Sequence, residues 1–400
     1  MPEEEGSARV QKINRTLSKA WESGLLPRPR LEAASFERTA LGRKPAGSFG
    51  ADEAWREPYE RLIRSLDEEA DLNPLGLVIA HGQIVMNLKS RIRAATLWKA
   101  HPEILSRPLL APIIILGQMR SGTTRLHRLL ACDDRFSHMR LQESLIPVPF
   151  GRRSRLHDRR KIYSRLGHRL LQWLNPVLDR IHPTGPDAPE EEFGLISFSF
   201  GSAQFEAQWR IPAFSRWWEA ADRASLYREF RALLRTAAWC RGDSPSLIPI
   251  LKVPWFLEDV HALIQAFPDA RFIRLDRNPA DIVASSASLV WNQMRLQSDS
   301  ADRAWIGQEW LRKTRLRAER CNAALERRSD AIRIGYEEMG QDWRGAVERI
   351  YRELGLPLDA VTLARMEAFV KGATRHYGHE YQLDRFGLSS LDFPETGAPA

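Results

Sequence analysis

Hydrophobic positions along the chain change their period partway. From Glu53 to Leu66 and from Leu75 to Lys99 apolar residues recur at helical spacing, and a further helix is expected near residues 8–23. After Pro108 the period shortens. Ile113 to Leu116 reads as a short buried strand that breaks at Gly117, passes a small polar loop and enters a helix from about Gly122 to Leu130. Further apolar strands are expected at about 247–253, 271–276 and 331–336. Helical patterns separate them, at about 256–267, 279–291, 302–328 and 343–354. Strands alternating with helices predict an α/β fold around a central parallel sheet. The pattern divides the chain into a helical N-terminal extension (1–107), an α/β domain (108–390) with a largely helical insertion at about 155–240, and a C-terminal tail (391–400).

Composition narrows the class. Four hundred residues with 43% hydrophobic content can bury a substantial core. No apolar run reaches 18 residues, so no transmembrane helix is expected. The acidic start Met1-Pro-Glu-Glu-Glu5 lacks the apolar stretch of a secretory signal. Cys132, Cys240 and Cys321 are too few and too scattered for a disulfide framework or a zinc site, which predicts a cytoplasmic location. The net charge of +8 rests on fifty arginines against nine lysines. It favours anionic ligands, but no nucleic-acid module accompanies it, and nucleic acid is not expected as the partner. The basic run at 152–169 reads as a solvated helix face or as an electropositive rim that steers an anionic ligand.

The stretch Pro112-Ile-Ile-Ile-Leu-Gly-Gln-Met-Arg-Ser-Gly-Thr-Thr124 carries the chemistry. Strand, glycine loop and helix N-terminus make an anion site, because loop amides and the helix dipole converge there. The spacing Gly117-x-x-x-x-Gly122 is that of a P-loop, yet Thr123 stands where a nucleotide-hydrolysing loop has its lysine. The cation sits earlier, at Arg120. Ser121, Thr123 and Thr124 offer hydroxyls to phosphate oxygens. A second grip is expected where the strand ending at Asp276 meets Arg277 and the helix that follows, with Ser285 about two turns in. The carboxyl ends of parallel strands are where such sheets bind ligands. Two anion grips suit a nucleotide with phosphate at both ends of its ribose.

Together these segments resemble the PAPS-dependent sulfotransferases, particularly the bacterial branch with an Arg-Ser/Thr-Gly-Thr-Thr loop. The resemblance runs from about 108 to 390 and includes His182-Pro-Thr-Gly-Pro-Asp-Ala-Pro-Glu-Glu-Glu192, Leu251-Lys-Val-Pro254, Phe267-Pro-Asp-Ala-Arg-Phe272, Leu354-Gly-Leu-Pro357 and Arg375-His-Tyr-Gly-His-Glu-Tyr381. It implies a P-loop-containing three-layer sandwich and 3′-phosphoadenosine-5′-phosphosulfate (PAPS) as donor, leaving adenosine 3′,5′-bisphosphate. It implies that Gly117 and Arg120 to Thr124 bind the 5′-phosphosulfate, and that Arg277 and Ser285 bind the 3′-phosphate. No metal is expected. The acceptor would be a hydroxyl, ahead of an amine, of a small molecule, lipid or glycan, and the reading allows a homodimer.

Lys252, one of nine lysines, follows an apolar strand and would stabilise the leaving oxygen as the S–O bond breaks. The acceptor must lose a proton, and the candidate bases are Glu143, His182, the Glu190–Glu192 run and His127. Relatives in other branches carry a glutamate soon after the first helix, as Glu143 does here. Three departures stand out. Pro254 replaces the histidine base of animal members, and Arg125 replaces an apolar or aromatic residue that would face adenine. The glycine-rich donor loop of animal members is absent, which leaves Arg375, His376 and His379 to supply its contacts. The rival readings are a P-loop small-molecule kinase or NTPase, and a nucleotide-binding relative that has lost catalysis. The acceptor pocket is expected among the aromatics between Phe193 and Trp218, unless those side chains are core.

Overall fold

The structure, a computed structural model, describes residues 2–150, 158–176, 188–326, 328, 330–372 and 382–393. These residues form two compact units. The first holds residues 1–109, 139–245 and 292–301, so the N-terminal helices and the inserted helices share one body. The second holds 110–138, 246–291 and 302–400.

In chain order the helices of the first half are α1 (Pro2–Glu22), α2 (Ala33–Leu41), α3 (Arg56–Glu68), α4 (Pro74–Ala100), α5 (Glu103–Ser106), α6 (Thr123–Leu130), α7 (Leu141–Leu145) and α8 (Arg160–Leu174). Next come α9 (Phe193–Ser197), α10 (Pro212–Ala220), α11 (Ala224–Arg241), α12 (Val260–Ala266), α13 (Pro279–Gln297) and α14 (Arg303–Leu325). The last three are α15 (Tyr336–Gln341), α16 (Trp343–Leu354) and α17 (Ala360–Gly372). The strands are β1 (Ile113–Leu116), β2 (Phe136–Ser137), β3 (Met139–Arg140), β4 (Pro189–Glu190), β5 (Ile248–Lys252), β6 (Arg271–Asp276) and β7 (Ile332–Gly335).

Among the described residues of the first unit the regular elements are helices, apart from the antiparallel pair β3–β4 and a single antiparallel bridge between Leu72 and Ser298. Its core is aromatic: Trp55, Tyr59, Phe198, Phe200, Phe205, Trp209, Phe214 and Trp218 are all buried. The aromatics between 193 and 218 therefore include six core side chains, and the tilted contacts of Phe200 with Trp55 and Tyr59 tie the insertion to the N-terminal helices. Arg91 is buried among them. Its guanidinium lies 4.7 Å from the Trp55 ring centre and bonds both oxygens of Glu229, at 2.6 and 3.0 Å. A buried guanidinium needs such a bidentate carboxylate to offset its desolvation.

The second unit is the predicted α/β sandwich. Its five strands are all parallel, in the order β2-β5-β1-β6-β7. β1 is central, and its Ile-Ile-Ile-Leu run is buried on both faces, as a strand covered by helices on either side must be. Alternate residues serve opposite faces. Ile113, Ile115, Ile273, Leu275, Ile332 and Ile334 pack with α6, α16 and α17 in one core. From β1 the chain builds β2 and β5 to one side, and then β6 and β7 to the other. The reversal falls between β1 and β6, and an open parallel sheet forms its ligand crevice at the carboxyl ends beside such a point.

The loop helix is anchored at its far end. Asp133, 2% exposed, accepts from Arg135 at 2.6 Å and from the Tyr351 hydroxyl of α16 at 2.8 Å. Burial alone would push this carboxyl up. Its hydrogen bonds from Arg135 and Tyr351 win, and its pKa lies below the usual aspartate value. A depressed carboxyl stabilises the fold above its unfolded pKa, and that contribution disappears as pH falls through the folded value. Asp133→Asn is expected to cost about 2 kcal/mol at neutral pH, the worth of a buried charge-assisted bond. The gap to the parent should shrink below about pH 4. Denaturant unfolding across pH tests this, and a gap independent of pH would contradict it.

Candidate active site

The crevice between β1 and β6 is built from three strand ends. β1 stops at Leu116 because Gly117 and the polar residues after it cannot continue an apolar ladder, and α6 begins at Thr123. Gly117 is required by space: a Cβ there would lie 2.5 Å from both Ser121 Oγ and Thr123 Cγ2. Gly122 is required by conformation, with φ of 87°. Arg120 also adopts a left-handed backbone, φ 69°, which an arginine rarely does. Such strain at a loop of this kind is commonly functional.

Every loop residue has a defined partner or setting. Ser121 is fully buried and its hydroxyl donates to the Gln118 carbonyl at 2.7 Å, closing the turn. Thr123 is buried and Thr124 half-buried at the helix start, where backbone amides lack helical partners. The Arg120 side chain reaches across to α13, its Nε donating to Ser285 Oγ at 3.0 Å. Ser285 is 1% exposed. Arg277, just past β6, donates from Nη1 to the Arg120 carbonyl at 2.7 Å. The loop is thus bonded to both Arg277 and Ser285.

Lys252 closes the group. It ends β5 opposite Ile115, is 2% exposed, and donates from Nζ to Thr124 Oγ1 at 2.9 Å. The cation missing from position 123 arrives from the adjacent strand instead. Asp276, which ends β6 as a metal-binding aspartate would, is bonded by Arg274 at 2.7 Å. Among the described residues no group of three or more His, Cys, Asp or Glu is placed to hold a metal ion.

Sequence reasoning missed Tyr336. It starts α15 directly after β7, and its ring lies 4.1 Å from the Arg277 guanidinium. A Cβ on Gly122 would sit 3.1 Å from the same ring. The residue is 36% exposed. An aromatic that ends the 331–336 run was the available signal.

The candidate bases fall apart. Glu143 belongs to the first unit, is 2% exposed, and accepts from Arg241 Nη1 at 2.8 Å and from the amide of Arg140 at 3.1 Å. Burial opposes the charge on Arg241, but Glu143 and Asp243 overcome it and raise its pKa. His127 is enclosed on α6, 1% exposed, with no partner for Nε2 among the described residues. Burial and the nearby Lys252 charge hold its pKa well below the ordinary histidine value, so it is neutral. Glu190, Glu191 and Glu192 are buried in the first unit. His182, Arg375, His376 and His379 lie outside the described residues, as do parts of the insertion and of the tail.

The pattern of the sulfotransferase family matches residues 112–360, which spans the loop, Lys252, Arg277, Ser285 and Tyr336. Two solved structures share the fold. Sulfotransferase STF1 of Mycobacterium tuberculosis H37Rv is 24% identical with a TM-score of 0.74, over 91% of this chain and 98% of that one. Sulfotransferase STF9 of Mycobacterium avium is 23% identical with a TM-score of 0.78, over 91% of this chain and 94% of that one. None of the curated proteins matches this chain.

Gly117→Ala should displace the Ser121 hydroxyl and the Thr123 methyl. The pyrophosphate concentration that half-protects the chain from thermal unfolding is expected to rise about tenfold or more, equivalent to ~1.4 kcal/mol. Unchanged protection would show that the loop is not the anion cradle.

Proposed function

We infer for this chain, which belongs to the sulfotransferase family, that its donor is PAPS and its acceptor a hydroxyl. The observation that carries the reading is the Lys252 ammonium, 2.9 Å from Thr124 Oγ1, supplied by β5 where the loop itself has none. A lysine within the loop serves to span the β- and γ-phosphates of a nucleoside triphosphate. A donor whose 5′ end is a phosphosulfate has no γ-phosphate and needs no such reach. What it needs is positive charge at the bridging oxygen, where charge accumulates as the S–O bond breaks. Lys252 and Arg120 fill that role in this reading.

Gly117, Ser121, Gly122, Thr123 and Thr124 would cradle the 5′ end, and Arg277 with Ser285 would hold the 3′-phosphate. The Arg277–Arg120 bond supports one ligand that engages both grips, because it fixes their spacing. Tyr336, partly exposed, would supply an aromatic contact to the adenine, the contact that Arg125 does not suit. Glu143 is the proposed base, oriented by Arg241, with His182 as the second candidate. The hydroxyl oxygen forms the new S–O bond, the bridging S–O bond breaks, and the acceptor's proton passes to the base. The acceptor class remains a hydroxyl of a small molecule, lipid or glycan. No observation favours the kinase reading.

Adenosine 3′,5′-bisphosphate at about a hundred times its Kd should stabilise the chain by ~2.7 kcal/mol, and Mg-ATP should do markedly less. The reverse order of stabilisation would replace the reading with the kinase one. Lys252→Ala should lower sulfuryl transfer from labelled donor by roughly 10²–10³-fold, the usual loss for one charge-stabilising group. Full transfer by that variant would remove Lys252 from the mechanism.

A further inference from the structure

Helix α8 presents its apolar residues to solvent. Its inward stripe is marked by Arg160, Ser164 and Leu174, all buried. Arg160 is held there by Asp158 at 2.7 Å and donates to the Ile146 carbonyl at 3.1 Å. At about 100° per residue, Ile162, Trp173, Leu166, Leu170 and Tyr163 then fall within one arc of roughly 100° on the outer side. Their exposures are 59%, 48%, 58%, 56% and 58%. Single exposed apolar residues are ordinary, but five large ones on one face are not.

The next arc round the helix is cationic. Arg165 and Arg169 are exposed and Lys161 half-buried. From Arg159 to Leu174 there is no aspartate or glutamate. At the helix end the Arg9 guanidinium lies 5.4 Å from the Trp173 ring centre. An apolar arc beside a basic arc, with tryptophan and tyrosine among the apolar members, is the composition of a helix that lies in a lipid headgroup layer. Contact with a second copy fits less well. A two-fold contact through this face would bring the same cations towards one another, with no carboxylate on the helix to answer them.

We propose that α8 docks the chain on an anionic lipid surface, with its apolar arc in the acyl boundary and Arg165 and Arg169 at the headgroups. This inference does not rest on the identity of the sulfuryl donor. The test is sedimentation of the full chain with phosphatidylcholine vesicles, with and without phosphatidylglycerol. The chain should sediment with the mixed vesicles, weakly with the neutral ones, and less as salt rises. Each cation near such a surface is worth roughly fivefold in partition, so Arg165→Glu with Arg169→Glu should lose about 25-fold or more. Leu166→Ser with Leu170→Ser should abolish sedimentation even at low salt. All four positions are exposed, so thermal unfolding should be unchanged. Binding by both double variants equal to the parent, or no binding by the parent at low salt, would overturn the proposal. So would a parental dimer that Leu166→Ser with Leu170→Ser converts to monomer without any vesicle binding by the parent, which would assign the face to a second copy.

Discussion

The register of β1 between β5 and β6 is the constraint from which the site follows. Ile115 lies level with Lys252 on one side and with Ile273 on the other. The loop after β1 must therefore emerge with one cation at its flank from β5, and another just past the end of β6. A slip of one residue in β5 would turn Lys252 to the opposite face of the sheet. Burial fixes the register, because alternate residues of these short strands pack into different helix layers. The hydrophobic core thus sets the positions of charges to which it contributes nothing directly.

The loop shows the cost of that arrangement and how it is offset. A non-glycine residue in the left-handed region costs of order 1–3 kcal/mol, and Arg120 occupies it. Its carbonyl accepts from Arg277 and its side chain donates to Ser285, so both ends of the residue are held from the β6 side. The strained backbone and the bonds to Arg277 and Ser285 are one feature. His127, neutral and enclosed one turn along α6, adds no charge of its own beneath these cations.

Most of the α/β unit was legible because its strands are short apolar runs punctuated by glycine, proline or charge. β1 and β6 were read to the residue, and β5 and β7 within a residue or two. The two-residue strands β2, β3 and β4 were not, since no periodicity can exist over so short a span. Arg120, Lys252, Arg277 and Ser285 were legible singly, and the structure joins them through hydrogen bonds that span more than a hundred residues of sequence. Tyr336 was overlooked because its place beside the loop rests on a ring contact with Arg277, 59 positions earlier, which no local pattern encodes. The pairing of Glu143 with Arg241 was hidden for the same reason, as was the joining of N-terminal and inserted helices in one body.

The distribution of the lysines has a consequence for how this protein can be modified. Two of the nine, Lys252 and Lys313, are 2% and 0% exposed, and the others are at least partly open to solvent. Nearly all remaining positive charge resides on guanidiniums, which acetylating enzymes and amine-directed reagents leave untouched. Acetylation of the seven accessible lysines would bring the net charge from +8 to about +1, yet would not reach the ammonium beside Thr124. The cations of the crevice are insulated from the commonest covalent means of switching a charge off.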